Sequence, residues 1–237
     1  MKKLTQWLPF IVLCCLAGTD KPKHLTDAQT LVDNVSADHN AYQHKGCFIR
    51  WKGQDGAEQY ENHTDCSDLL DLLLEHSYGV TKEKLKEWTG HTGPLAEHWH
   101  DAIVAGKGAK QIVNVTDAQA GDILAIKFPP GLPDTGHIMI VCGPAEAIAA
   151  KAPIEPDTRQ WDVTIIDSTK SGHGQTDTRY KTDGTFNQGV GKGVIRIYTK
   201  EDGTIAGYCW SDGAASKFRA QSDRNLVIGR LDVSKSE

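Results

Sequence analysis

The stretch Asn62 to Gly79, NHTDCSDLLDLLLEHSYG, puts Cys66 where a polar run gives way to leucines, with Asp65 and Ser67 on either side. A thiol becomes a good nucleophile when its thiolate is stabilised, and the unpaired amides and dipole of a helix N-terminus do this. Such a nucleophile needs a base, usually histidine, and a third polar group that orients the imidazole. His137 opens an apolar run after PPGLPDTG, and Asp167 lies at the end of the next one, VTIIDST. Neighbouring antiparallel strands bring such side chains together. Cys66, His137 and Asp167 are thus expected to act as nucleophile, base and orienting acid, and Tyr60 offers a hydroxyl to the reacting carbonyl. Each has a duller reading when taken singly: a small buried thiol, a strand cap, a strand terminator. Their compatible placement in one topology favours the chemical reading. His173, in SGHG, reads as a solvated loop histidine, and His98 and His100, around Trp99, as divided between core and surface.

The elements that must position these groups follow from periodicity. Leu25, Leu31, Val32 and Val35 predict a helix within residues 24–43, with Thr26 as its cap. Cys47 to Trp51 is β-prone and leads into a glycine-bearing loop. Leu69, Leu70, Leu72, Leu73 and Leu74 predict a buried helix that begins near Cys66, is capped by Thr64 or Asp65, and ends at Gly79. Thr81 caps a second helix there, and residues 94–106 form a third. The texture then changes. Strands are expected at 111–115, 121–128, 137–143, 161–169, 193–199 and 208–210, separated by Gly, Pro and Asp. Helices followed by an antiparallel meander predict an α+β fold. The glycine-rich segment 168–193 reads as a mobile loop, and 145–160 as a protruding loop or short helix.

The 237 residues, 39% hydrophobic and 24% charged, suit one globular domain with a small appendage. A formal charge of -5, with no arginine-rich face, argues against nucleic acid as a partner. Residues 1–17 have the layout of a signal peptide: two lysines, an apolar run from Trp7 to Leu16, then small residues, with cleavage after Ala17. The run is too short to span a bilayer, which takes about 20 apolar residues. An exported chain without stable membrane insertion, periplasmic or secreted, is the expectation. Cys14 and Cys15 leave with the leader; of Cys47, Cys66, Cys142 and Cys209, at most one bridge forms if Cys66 stays free. No CxxC or HExxH pattern implies a metal, and no cofactor is expected.

DCSDLLDLLLEHSYG, from Asp65, resembles the nucleophile helix of the NlpC-type cell-wall peptidases, a papain-like group whose helix opens with Asp-Cys-Ser-Gly. GDILAIKF from Gly121 and GHIMIVCG from Gly136 are similar to that family's paired strands, the second of which carries the histidine. The resemblance spans residues 60–170. It implies a papain-like fold with N-terminal helices packed on an antiparallel β-sheet or partial barrel, a domain over residues 60–237, and an N-terminal extension over 18–59. It also implies a cysteine peptidase or amidase acting on peptidoglycan stem peptides, with Cys66, His137 and Asp167 catalytic and Asp65 and Ser67 shaping the substrate site. Asp68 stands where the family has glycine, and Asp167 lies farther from the histidine than the family's third residue, which implies an insertion between residues 144 and 160. Two other readings predict different surroundings for Cys66: a thioesterase or acyltransferase would place an apolar groove there, and an exported binding or inhibitor protein would leave an inert thiol.

Overall fold

The computed structural model describes residues 21–233, so the leader expected over residues 1–17, with Cys14 and Cys15, lies outside the described residues. The first helix, α1 (Lys23–Asn34), is shorter than the periodicity suggests and starts after Pro22 rather than at Thr26. The Thr26 hydroxyl instead donates back to the Pro22 carbonyl. Beyond it the chain forms β1 (Asn40–Tyr42), β2 (Phe48–Arg50) and β3 (Glu61–Thr64), a small sheet in which β3 lies between the other two. This sheet precedes the remaining helices, against the expected order. The strand ENHT carries no apolar alternation because its inward residues are polar and satisfied. Asn62 donates to Asn40 Oδ1 (2.9 Å), and Thr64 donates to Asn62 Oδ1 (2.9 Å).

Three helices follow: α2 (Cys66–Tyr78), α3 (Lys82–Thr89) and α4 (Ala96–Val104). Leu69, Leu70, Leu73 and Leu74 of α2 are almost fully buried, and Gly79 ends the helix in the left-handed conformation that glycine adopts without strain. Asp71 is buried on the same helix, where its carboxylate accepts from Trp99 Nε1 (3.1 Å); burial pushes its carboxyl well above the usual range.

The larger sheet comprises β4 (Ala109–Ile112), β5 (Ile123–Lys127), β6 (Gly136–Val141), β7 (Glu146–Ile148), β8 (Arg159–Thr169), β9 (Gly189–Thr199), β10 (Ile205–Cys209), β11 (Phe218–Ala220) and β12 (Asn225–Leu231). Its order is β11-β10-β9-β8-β6-β5-β12-β4, antiparallel throughout, with β7 beside β8. The last strand thus inserts between β5 and β4, which makes the sheet more than a meander. Ile123, Ala125, Ile138 and Ile140 face the leucines of α2 and Trp99 of α4. Leu124, Ile126, Met139 and Val141, alternating with them, face a second core with Ile165, Ile195 and Ile197. Because β10 and β12 touch without being neighbours in the strand order, the sheet curls around that second core. The architecture is α+β. Among the described residues no helix is long and apolar enough to cross a membrane, and Cys47, Cys66, Cys142 and Cys209 are all free thiols.

The segment between β8 and β9 is not the solvated loop its glycines suggest: His173, Asp177 and Arg179 within it are buried. The segment at 145–160 contributes β7, which pairs with β8.

Candidate active site

Cys66 occupies the first turn of α2, and Asp65 is the N-cap. Asp65 Oδ1 accepts from the Ser67 amide (2.9 Å), the Asp68 amide (2.9 Å) and the Ser67 hydroxyl (3.0 Å), while Oδ2 faces His44 Nδ1 at 3.0 Å. The Asp65 and Ser67 side chains are therefore engaged in fixing the helix start. The cap takes the second and third helical amides and leaves that of Cys66 itself outside its reach. Asp68, at the position where NlpC-type peptidases have glycine, is half-buried; burial raises its carboxyl, and a hydrogen bond from Cys47 opposes the rise. Burial and Asp68 together push the Cys47 thiol up to about 12.

His137 is the second residue of β6 and pairs with Ile126 of β5. The residue before it has to be glycine: a Cβ on Gly136 would sit 1.9 Å from the Ile126 carbonyl oxygen. Asp167 lies on β8, the neighbour of β6, and His137 Nε2 donates to its Oδ2 at 2.6 Å. Cys66 lies near enough to the imidazole to be one of the groups that raise it. With Nε2 committed to Asp167, Nδ1 is the nitrogen left for the sulfur. Burial works against the imidazolium, but Cys66 and the Asp167 carboxylate outweigh it, and His137 is raised to about 10. The structure thus brings Cys66, His137 and Asp167 together.

Behind them lies a buried network that the sequence did not reveal. His173, fully buried rather than solvated, places Nε2 2.9 Å from Asp167 Oδ2 and Nδ1 2.6 Å from the Trp210 carbonyl. Both neighbours accept, so the ring makes both bonds only when both nitrogens carry protons. Arg179 Nη2 bridges Asp167 Oδ1 (2.8 Å) and Asp177 Oδ2 (2.7 Å), and Nη1 donates to the Gly189 carbonyl (2.9 Å). Burial alone would raise the Asp167 carboxyl, but Arg179 and the two histidines hold it well below the usual range. The Trp210 ring stacks on His173 at 4.3 Å and meets His137 edge-on at 4.8 Å.

The sequence does hold one signal for this network. Gly189, Gly191 and Gly193 alternate along β9, so one face of the strand is bare. A Cβ on Gly191 would lie 2.5 Å from Arg179 Nε, and one on Gly193 2.6 Å from Asp177 Oδ2 and 2.7 Å from His173 Cβ. The bare face is the bed on which the polar network lies.

A cleft runs along Cys66 and His137. One part, about 200 Å³, includes Cys66, Asp65 and Ser67 in its wall. The other, about 300 Å³, includes His137 and Trp210. Tyr42, His44, Asp134 and Gly136 border both. Burial, with Cys66 and Asp65 adding to it, pushes the Tyr42 phenol far up, so its hydroxyl stays a donor. Tyr60 is not part of this cleft wall: it packs edge-on against Trp51 at 6.2 Å, on the rim of the helical core. Tyr42 is separated from Cys66 in the chain by two strands and a loop, so its place in the cleft wall depends on the fold and not on nearness in sequence. His100 is buried and faces Asn225, whereas His98 stacks on His91; neither reaches the cleft. Among the described residues no group of three or more His, Cys, Asp or Glu side chains is placed to hold a metal ion.

No protein-family model matches the sequence, and no solved structure matches the chain. The chain is similar to "Uncharacterized protein R653" of Acanthamoeba polyphaga mimivirus, at 36% identity over 223 residues that cover 90% of this chain and 98% of the relative. With that identity sustained across nearly the whole of both proteins, this chain belongs to the same family as the mimivirus protein.

Proposed function

We propose that the protein is a cysteine hydrolase of papain-like type, a peptidase or amidase that works through Cys66, His137 and Asp167. The observation that carries the reading is the convergence itself: a thiol at a helix start, an imidazole near enough for the sulfur to help raise it, and a buried carboxylate 2.6 Å from one nitrogen of that imidazole. Cys66 Sγ, as thiolate, attacks the amide carbonyl carbon. The charge that develops on the carbonyl oxygen is met by the Cys66 amide and the Tyr42 hydroxyl. The C–N bond breaks as His137 gives its proton to the departing amine, which leaves a thioester on Cys66. Water then loses a proton to His137 and attacks the thioester, releasing the acid and restoring the thiolate and imidazolium.

Asp167 keeps Nε2 protonated and the ring aimed at the sulfur, and His173 and Arg179 keep Asp167 ionised and in place. The charged and polar wall of the cleft favours a peptide-like substrate over the apolar groove that an acyl-chain thioesterase would need. The resemblance to NlpC-type enzymes extends the proposal to export and to the stem peptides of peptidoglycan. The test is incubation of the chain from Gly18 onward with purified cell-wall fragments, followed by mass analysis of the products. Wild type is expected to release new amine and acid termini and folded Cys66→Ala none. Equal cleavage by the two proteins would eliminate the mechanism.

A further inference from the structure

The larger part of the cleft, on the His137 side, carries charge of one dominant sign. Lys170, Arg219 and Arg224 line it, against a single acid, Asp134. This is unusual in a chain whose formal charge is -5. Among the described residues none of the three cations has a carboxylate partner. Two of them, Lys170 and Arg224, are placed by aromatic rings instead. The Arg224 guanidinium lies 4.1 Å from the centre of the Phe128 ring, and Lys170 Nζ stands 5.3 Å from the centre of the Tyr42 ring; the buried Tyr208 hydroxyl, which lines the same part of the cleft, has no hydrogen-bond partner among the described residues. Cations gathered on one wall, two of them set by rings and none neutralised by a carboxylate, form a receptor for an anion.

The side of the cleft assigns that anion to one half of the substrate. In a hydrolase using Cys66 and His137, the imidazolium protonates the leaving amine, so the leaving fragment must lie beside His137. The acyl fragment, bound to sulfur, lies in the part walled by Cys66, Asp65 and Ser67. The cations are all in the His137 part. A volume of about 300 Å³ is at the small end for ligand pockets, which run from roughly 300 to 1,000 Å³. Resting on the hydrolase reading, we infer that the fragment released as the amine carries a carboxylate close to the scissile bond: an amino acid or very short peptide with a free carboxyl group, held by Arg219 and Arg224 with Lys170 at the mouth.

The test uses a pair of affinity labels on the full folded chain, N-iodoacetyl-β-alanine and its neutral amide, with Cys66 alkylation followed by intact-mass and peptide analysis. The readout is the ratio of the anionic to the neutral rate, compared between proteins so that the contribution of His137 cancels. The ratio is expected to fall about tenfold in Arg219→Gln/Arg224→Gln, the scale of one lost charge-assisted contact, and by less in Lys170→Gln. Lys170 is exposed, so that variant retains a readout if the double variant does not fold. Fast labelling of Cys66 by both reagents with the same ratio in wild type and variants would overturn the inference while leaving the hydrolase reading intact. Slow labelling of folded wild type by both reagents would overturn the hydrolase reading, and the inference with it.

Discussion

Asp167 is the residue on which the site turns, because three cationic or donor groups converge on one buried carboxylate: His137, His173 and Arg179. Its effect on His137 fixes a pH dependence. A histidine raised from 6.5 to about 10 stays imidazolium through neutral pH, and activity that needs this proton falls as pH rises through that value. The same interaction adds stability that is complete below the unfolded pKa of 6.5 and lost as pH rises through about 10. Asp167→Asn removes part of the charge that raises His137, so the alkaline limb of kcat/KM is expected at lower pH than in wild type. The rate at neutral pH should drop by on the order of 10²- to 10⁴-fold, as for the orienting acid of other triads. A pH profile of both proteins checks this; an unmoved alkaline limb would show that Asp167 does not set the state of His137.

At the scale of elements, the site is built where α2 meets the ends of β6 and β8, with β9 giving up its side chains to make room. Most of this was legible. The leucine spacing of α2, its left-handed glycine end and the apolar strands β5, β6 and β8 are local patterns, and local patterns survive in sequence. What was hidden was polar structure held by distant partners. The strand ENHT owes its place to hydrogen bonds with β1, and the network around His173 owes its burial to glycines on another strand. Tyr60 illustrates the same limit, since its nearness to Cys66 along the chain says nothing about the Trp51 ring it packs on.

Gly136 is a point where the element and the chemistry meet. Gly136→Ala would drive a Cβ into the Ile126 carbonyl and push the start of β6, with His137, away from Cys66. A shift of about 1 Å at a reacting group costs up to roughly 10²-fold in rate. The strain should also lower stability by about 1–3 kcal/mol. Kinetics and thermal unfolding measure the two effects, and a variant with wild-type values of both would show that β6 does not position the histidine through this contact.

Taken as a whole, the molecule is a curled antiparallel sheet with helices on one face, and the four described cysteines sit in different environments within it. That makes the protein its own control. Burial pushes Cys47 and Cys142 up to about 12 and raises Cys209 as well, so these thiols should be inert at neutral pH. Cys66 is the one of the four that lies near enough to the His137 imidazole to help raise it. The most direct test of the account is therefore the rate of iodoacetamide labelling of each cysteine in the folded protein at pH 7, resolved by peptide mass. The account predicts that Cys66 labels at least about 10-fold faster than the other three and loses that advantage in His137→Ala, while Cys47, Cys142 and Cys209 label only on unfolding. Labelling of Cys66 at the pace of Cys142, or unchanged by loss of His137, would contradict it.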